Sequence, residues 1–244
     1  LLYLYFYPED YKTLFFIAFI PGLLAVLASF LLKEKKVMVD KQKVSMPFFS
    51  FLNYWKLSPP EYKKVVIGLL IFTLFNSSDV FLLLQAKQSG LDDTMVIGVY
   101  IFYNLIYALF AFPIGIIADN FGLKKIFIFG LGLFALVYFG MSTNPNLYFI
   151  FGLFFLYGIY ASATEGISKA WISNIIDKKD TATAIGTYSG FQSICTMLAS
   201  SLTGLIWFQF GATIAFLVTA IATVLIIVYF VLIPKTTIAR NGAI

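Results

Sequence analysis

The chain has 244 residues, of which 60% are hydrophobic and 12% charged, with a net charge of +5 and a mean hydropathy of +0.89. A soluble globular chain is nearer a quarter charged, so this balance excludes an ordinary water-soluble domain and points to a bilayer as solvent. With no His and with Cys195 as its one cysteine, the sequence also excludes histidine proton relays, histidine metal sites and an internal disulfide.

Crossing a hydrocarbon core of about 30 Å takes about 20 helical residues. Apolar runs of that kind fall at 13–32, 64–86, 94–117, 125–142, 147–173, 182–207 and 212–233. Helices are the expected form, because every backbone polar group in lipid needs a partner inside its own segment. The alternating segments of about 10 residues that mark a β-barrel do not occur. Residue 1 is Leu, a span follows within a dozen residues and no signal-peptide pattern precedes it, so the chain reads as a fragment of a longer protein.

After the first span comes the one long polar link, 34–63. It opens "KEKKVMVDKQK", a solvated charged run. "SMPFFSFLNYWKLSPP" then sets Phe48, Phe51, Leu52 and Trp55 at i, i+3, i+4, i+7. Pro47 suits a first helical turn and Pro59-Pro60 a stop, which predicts a short helix lying in the membrane interface with its apolar face down. A two-turn stripe is also short enough for a disordered linker.

The run 64–86 contains "LFNSSDVFLLL", with Asp79 among apolar residues. A charge at the centre of a bilayer costs about 2.5–3.5 kcal/mol on the insertion scale, so it calls for a function. Asn76 precedes Asp79 by about one turn and is expected on the same face. No basic residue lies within a turn, and an unpaired buried carboxylate is suited to bind and release a proton or to contact another cation. In the next span Tyr100, Tyr103, Asn104 and Tyr107 form a stripe at i, i+3, i+4, i+7. In 147–173 another stripe holds Tyr157, Ala161, Thr164, Glu165 and Ser168. Polar stripes in a membrane turn to protein or water. The tyrosines therefore either pack in the core with bonded hydroxyls or line a pathway. Glu165 and Lys169 stand at i, i+4 in the order that favours an ion pair, which is either structural or part of a site. Gly186 with Gly190, and Ser200 with Gly204, have the small-residue spacing of close helix contact.

Orientation follows from the loop lysines. With the stretch after the first span inside, 14 of the 17 basic residues lie on that side: Lys33, Lys35, Lys36, Lys41, Lys43, Lys56, Lys63, Lys64, Lys124, Lys125, Lys178, Lys179, Lys235 and Arg240. The positive charge thus reflects topology and is not a nucleic-acid footprint. The C-terminus is expected in the cytoplasm, and a prokaryotic inner membrane fits.

An internal repeat is the next signal. "FTLFNSSD" at 72 matches "YGIYASAT" at 157, "IGVYIFYN" at 97 matches "IGTYSGFQ" at 185, and "GIIADNFG" at 115 matches "GLIWFQFG" at 204. The offsets, 85, 88 and 89, drift slowly in one order, as two three-helix copies would. Three is odd, so the second copy runs inverted through the membrane, as in secondary transporters. At 1.5 Å per residue Asp79 lies about 22 Å into its span and Glu165 about 27 Å into its own, from opposite faces. One charge near each gate of a central pathway is the expectation.

"GIIADNFGLKKIFIFG", residues 115–130, resembles the loop motif of the major facilitator superfamily, with Gly115, Asp119, Gly122, Lys124 and Lys125 at its positions and Asn120 where the motif often has a basic residue. "NSSDVFLLLQAK" and "EGISKAW" are similar to segments of bacterial members. Gly115 would let two helices approach, Gly122 would permit the tight turn, and Asp119 could pair with Lys124 or Lys125 or sit at a helix N-terminus, a cluster that either holds one gate state or is a plain positive-inside turn. The resemblance implies an all-α membrane protein of seven transmembrane helices, the last six forming one bundle of two inverted three-helix repeats, half of the family's fold. Residues 1–33 would then be helix six, 34–63 the cytoplasmic loop between halves, 64–234 the C-terminal bundle and 235–244 a cytoplasmic tail. Helices one to five, the N-terminal half of the same protein, would be missing.

The function expected is secondary active transport of a small organic solute, coupled to a proton or another cation by alternating access. The aromatic lining leans towards export of lipophilic or drug-like compounds. The residues expected to serve substrate or ion coupling are Asp79, Asn76, Tyr103, Asn104, Tyr107, Tyr157, Glu165 and Lys169. A seven-span receptor and a non-transporting membrane subunit are the alternatives. No nucleophile–base pair, metal-ligand cluster or phosphate loop stands out, so no enzyme, metal or cofactor is expected.

Overall fold

The computed structural model describes residues 3, 10–30, 50–143 and 145–234 of the chain. Among them all regular structure is helical, and the chain divides into two units, 1–47 and 48–244.

The first unit holds α1, Tyr11–Ser29. Asp10 caps it: its carboxylate accepts from the Thr13 backbone N–H at 3.2 Å and from the Tyr3 hydroxyl at 2.7 Å. These bonds, Tyr3 first, hold the Asp10 carboxyl below the usual range. The apolar part of α1, Phe15–Ala28, is shorter than a span, and residues 31–32 of the expected span lie outside the described residues.

The second unit begins with α2, Ser50–Leu57. Ser58 ends it by donating from Oγ to the Trp55 carbonyl at 2.9 Å. Phe48 and the side chains of Phe51 and Leu52 lie outside the described residues. Trp55 does not face lipid alone: its ring sits 5.6 Å from Phe191 and 6.1 Å from Tyr62. Burial, with Asp180 and Asp177 nearby, pushes the Tyr54 hydroxyl above its ordinary pKa. This end of the predicted interfacial helix therefore turns to protein.

Helices α3 (Pro60–Phe75) and α4 (Val80–Gln88) replace the single helix expected over 64–86. Pro60 starts α3 where its missing N–H is no loss, and residues 76–78 are not helical. Then come α5 (Asp93–Phe121), α6 (Leu123–Ser142), α7 (Leu147–Ile175), α8 (Thr181–Phe210) and α9 (Ala212–Leu232). Asp92 caps α5 and Asn146 caps α7, each accepting from a backbone N–H three residues on, at 2.7 and 3.0 Å. Six helical segments are long and apolar enough to cross a membrane: Pro60–Gln88, Asp93–Phe121, Leu123–Ser142, Leu147–Ile175, Thr181–Phe210 and Ala212–Leu232. This is the all-α membrane architecture expected.

The core forms where α6 and α7 meet, with α5 on one flank of the pair and α9 on the other. Phe127, Leu131, Phe134, Tyr138, Ile150 and Phe154 are fully buried there. Two glycines permit the approach. A Cβ at Gly158 would stand 2.8 Å from Ile106 and from the Tyr103 carbonyl of α5, and one at Gly130 would stand 2.7 Å from Thr164. The small pairs singled out by spacing behave differently. Gly186 and Gly190 have no atom within 4 Å of a Cβ position among the described residues. Ser200 and Gly204 do contact α4 and its approach, through the Ser78 backbone N–H and Phe81. The least buried spans are α5 and α8.

Candidate functional site

The site is built on the break between α3 and α4. Phe75 is the last helical residue, Asn76 departs to φ −92°, ψ 84°, and Asp79 stands just before Val80 as α4 begins. Unwound backbone at membrane depth is tolerated only where protein or a water-filled cavity surrounds it. Here protein does. Asp79 Oδ2 accepts from the Tyr103 hydroxyl of α5 at 2.5 Å, and Oδ1 accepts from the Tyr157 hydroxyl of α7 at 2.6 Å. Asn76 donates from Nδ2 to the Tyr160 hydroxyl of α7 at 3.0 Å. The Ser78 backbone N–H donates to Ser200 Oγ of α8 at 3.2 Å. Three other helices thus hold a segment that has left its own helical ladder.

These contacts correct two expectations. Asp79 has no ion-pair partner among the described residues, yet it is not bare: both oxygens receive hydrogen bonds, which offset the cost of removing a carboxylate from water. Asn76 and Asp79 do not share a helix face, because the helix ends between them. They meet instead through α7, where the Tyr157 and Tyr160 rings lie 5.1 Å apart.

Aromatic rings surround the carboxylate. Tyr103 lies edge-to-face with Tyr157 at 5.3 Å and with Tyr100 at 5.4 Å. Tyr160 continues to Phe134 at 4.7 Å, and Phe134 stacks on Tyr138 at 4.1 Å. Tyr103, Tyr157 and Tyr160 are buried, whereas Tyr100 is exposed. The Ser77 and Tyr138 hydroxyls are buried without a hydrogen bond among the described residues. Tyr138 faces Ser77 and the Asp79 charge.

The other predicted residues divide. Tyr107 lies beside Glu165, and Tyr103 also feels that charge. The two acids therefore address tyrosines one turn apart on α5. Lys169 is not part of this: Glu165 and Lys169 are both exposed, and the expected i, i+4 ion pair is not formed. The one ion pair found among the described residues joins Lys87 to Asp93 at 2.5 Å, across the turn from α4 to α5. Asn104 donates to the Tyr100 carbonyl of its own helix at 2.8 Å and makes no bond to Asp79.

The loop motif is likewise only partly as expected. Gly122 has φ +100°, a conformation that favours glycine, and it joins α5 to α6 with no intervening loop. Gly115 faces open space within 4 Å among the described residues, so it mediates no close helix contact there. Asp119 is exposed and forms no ion pair among the described residues with Lys124 or Lys125. Lys124 reaches α9 instead: Nζ donates to the Ile233 carbonyl at 2.5 Å. A lysine suits the negative end of a helix dipole. Asn120, in the position often basic, donates to the Ile116 carbonyl at 3.0 Å.

Sequence reasoning missed Tyr160, Tyr138, Ser77, Ser78 and Ser200. Tyr160 was within reach, being three residues from Tyr157 on the same helix. Ser200 was marked by its small-residue spacing with Gly204 as a packing residue and not as a site residue, and no spacing in the sequence announces Tyr138.

The Major Facilitator Superfamily model matches residues 65–243. An uncharacterized MFS-type transporter of Methanocaldococcus jannaschii is 28% identical over 228 residues, covering 88% of this chain and 56% of that protein. An uncharacterized transporter of Buchnera aphidicola subsp. Schizaphis graminum is 31% identical over 139 residues, covering 55% of this chain and 34% of that protein. The chain thus spans about half the length of the first of these relatives and about a third of the second. Since the family match takes in α4 to α9 whole, with most of α3, and so includes the broken segment and the Gly122 turn, the chain belongs to the major facilitator superfamily.

Proposed function

We propose that this chain is the C-terminal part of a secondary active transporter that moves a small organic solute by alternating access, with Asp79 as the proton-coupling group. The observation that carries the proposal is the carboxylate at a helix break, held by hydroxyls from two other helices. Discontinuous helices with ionisable groups at mid-membrane are the recurrent way transporters build ion and substrate sites. Gain of a proton would turn an acceptor-only group into a donor and would force Tyr103 and Tyr157 to rearrange. That is a means of linking protonation to helix position.

The sparsely buried faces of α5 and α8 suit a partner bundle, the N-terminal half of the same protein, across a central pathway. Tyr100 and Glu165, both exposed, and the half-buried Tyr107 would line that pathway, with an aromatic character that favours a lipophilic solute and export. The lysine count favours a cytoplasmic C-terminus in a cell inner membrane.

The test uses the complete protein in liposomes. Asp79→Asn keeps the shape of the side chain but removes its charge. Transport driven by an imposed pH gradient should fall to background at wild-type abundance, while downhill solute exchange survives. Equal gradient-driven transport in the two proteins would remove Asp79 from coupling.

A further inference from the structure

A second feature of α3 lies on its opposite side. Gly68, Ile71 and Phe75 of α3 face Ala222, Leu225, Ile226 and Tyr229 of α9 across an open groove of about 250 Å³ with almost no polar lining. The α3 residues are spaced i, i+3, i+7 and the α9 residues i, i+3, i+4, i+7, so the groove runs along both helices. Its length is about 10 Å at 1.5 Å per residue, much less than the packing face of a membrane-crossing helix. It lies between the lysine-rich end of α3 and the α3–α4 break. Ile71 and Leu225, on its rim, are exposed.

The lysine-rich end has a defined chemistry. Tyr229 closes it by donating its hydroxyl to the Lys64 carbonyl at 2.9 Å. Lys64 stands one turn before Gly68, and its ammonium is exposed with no partner among the described residues. Its neighbour Lys63 is engaged, donating to the Lys56 carbonyl at 3.0 Å. An apolar slot with an unengaged cation one turn beyond its end is complementary to an anionic phospholipid.

We infer that the α3–α9 groove is a binding site for an anionic phospholipid, with one acyl chain in the slot and the phosphate on Lys64. The part of the chain held in the slot would rest on Phe75, the last residue before the break, so occupancy would support the end of α3 beside Asn76. This inference stands apart from the transport reading, since it needs no role for Asp79.

The test is lipid retention by the complete protein, read by native mass spectrometry after exchange into detergent with phosphatidylglycerol or phosphatidylcholine. Wild type should retain phosphatidylglycerol with about a fivefold preference, the order expected of one lysine at a membrane surface. Lys64→Gln should abolish the preference and Lys64→Arg should restore it. Ala222→Phe, which fills the slot, should lose both lipids while keeping the wild-type unfolding temperature. Equal retention of the two lipids by wild type, or an undiminished preference in Lys64→Gln, would overturn the proposal. So would a cross-linked dimer through Leu225→Cys that excludes lipid, since the occupant would then be a second copy.

Discussion

Residues 72–79, Phe-Thr-Leu-Phe-Asn-Ser-Ser-Asp, and 157–164, Tyr-Gly-Ile-Tyr-Ala-Ser-Ala-Thr, are the two segments that the sequence pairs at an offset of 85. The first unwinds after Phe75, whereas the second continues as α7 to Ile175. Both are rich in small polar residues, so polarity alone does not decide. The partners do. In α7, Ser162 donates to the Ile159 carbonyl at 2.7 Å and Thr164 to the Tyr160 carbonyl at 2.9 Å, bonds that stay within the helix. In 76–79 the bonds of Asn76 and Asp79, and of the Ser78 N–H, go to other helices. Asn, Ser and Asp compete with the helical ladder, and Ala does not. A membrane helix breaks here because partners across the gap are better placed than those above and below.

The two largest effects should be similar in size, and the first comes from the wall that sets this geometry. Gly158→Leu puts a side chain into the Tyr103 carbonyl and Ile106, and overpacking of this kind costs about 1–3 kcal/mol or more. Thermal unfolding of the purified protein should show it, and an unchanged midpoint would mean α5 and α7 are free to part. Next is Asp79→Ala, which leaves the Tyr103 and Tyr157 hydroxyls without an acceptor. Each buried unpaired group costs about 1–3 kcal/mol, so this variant should be less stable than Asp79→Asn, which keeps a carbonyl oxygen. Equal stability of the two would mean that the bonds to Asp79 contribute little.

The comparison itself is tested by making the broken segment resemble the continuous one. Asn76→Ala, Ser77→Ala and Ser78→Ala together should favour a helix by up to about 0.7 kcal/mol per residue. Hydrogen exchange of the amides at 76–80 should slow. Unchanged exchange would assign the break to the Asp79 bonds rather than to the local sequence. The smallest effect is expected for Ser162→Ala in the continuous helix, within about 0.5 kcal/mol, because the lost bond is local and Ala is the better helix former. A loss comparable to Asp79→Ala would show that its hydroxyl has a partner beyond its own helix.

Much of the fold was legible in the sequence because hydropathy in a membrane is a strong signal. Five of the helices end within four residues of the expected spans, from 94–117 to 212–233. The break was not legible: an apolar run interrupted by four polar residues is compatible with a straight helix until its partners are known. For the site, Asp79, Tyr103 and Tyr157 were each visible as polar residues in apolar surroundings, but not their convergence, which spans 24 and 78 residues. Helical spacing also suggested contacts that do not form. Glu165 and Lys169 are near enough to pair, yet Glu165 lies towards Tyr107. Gly115 has the motif's glycine without a neighbour to receive among the described residues. Spacing says what a helix permits, and the surrounding helices decide what is used.

Lys124 and Lys125 show that adjacent identical charges can carry different duties. Both count equally towards orientation, since insertion reads charge by its side of the membrane. Only Lys124 is also a fastener, with its ammonium on the carbonyl of Ile233 at the end of α9. It adds a polar bond to the grip that α6 already has on the last helix through Phe127 and Phe230, a bond that must be released if the two are to part. Losing Lys125 alters an address; losing Lys124 also cuts a tether.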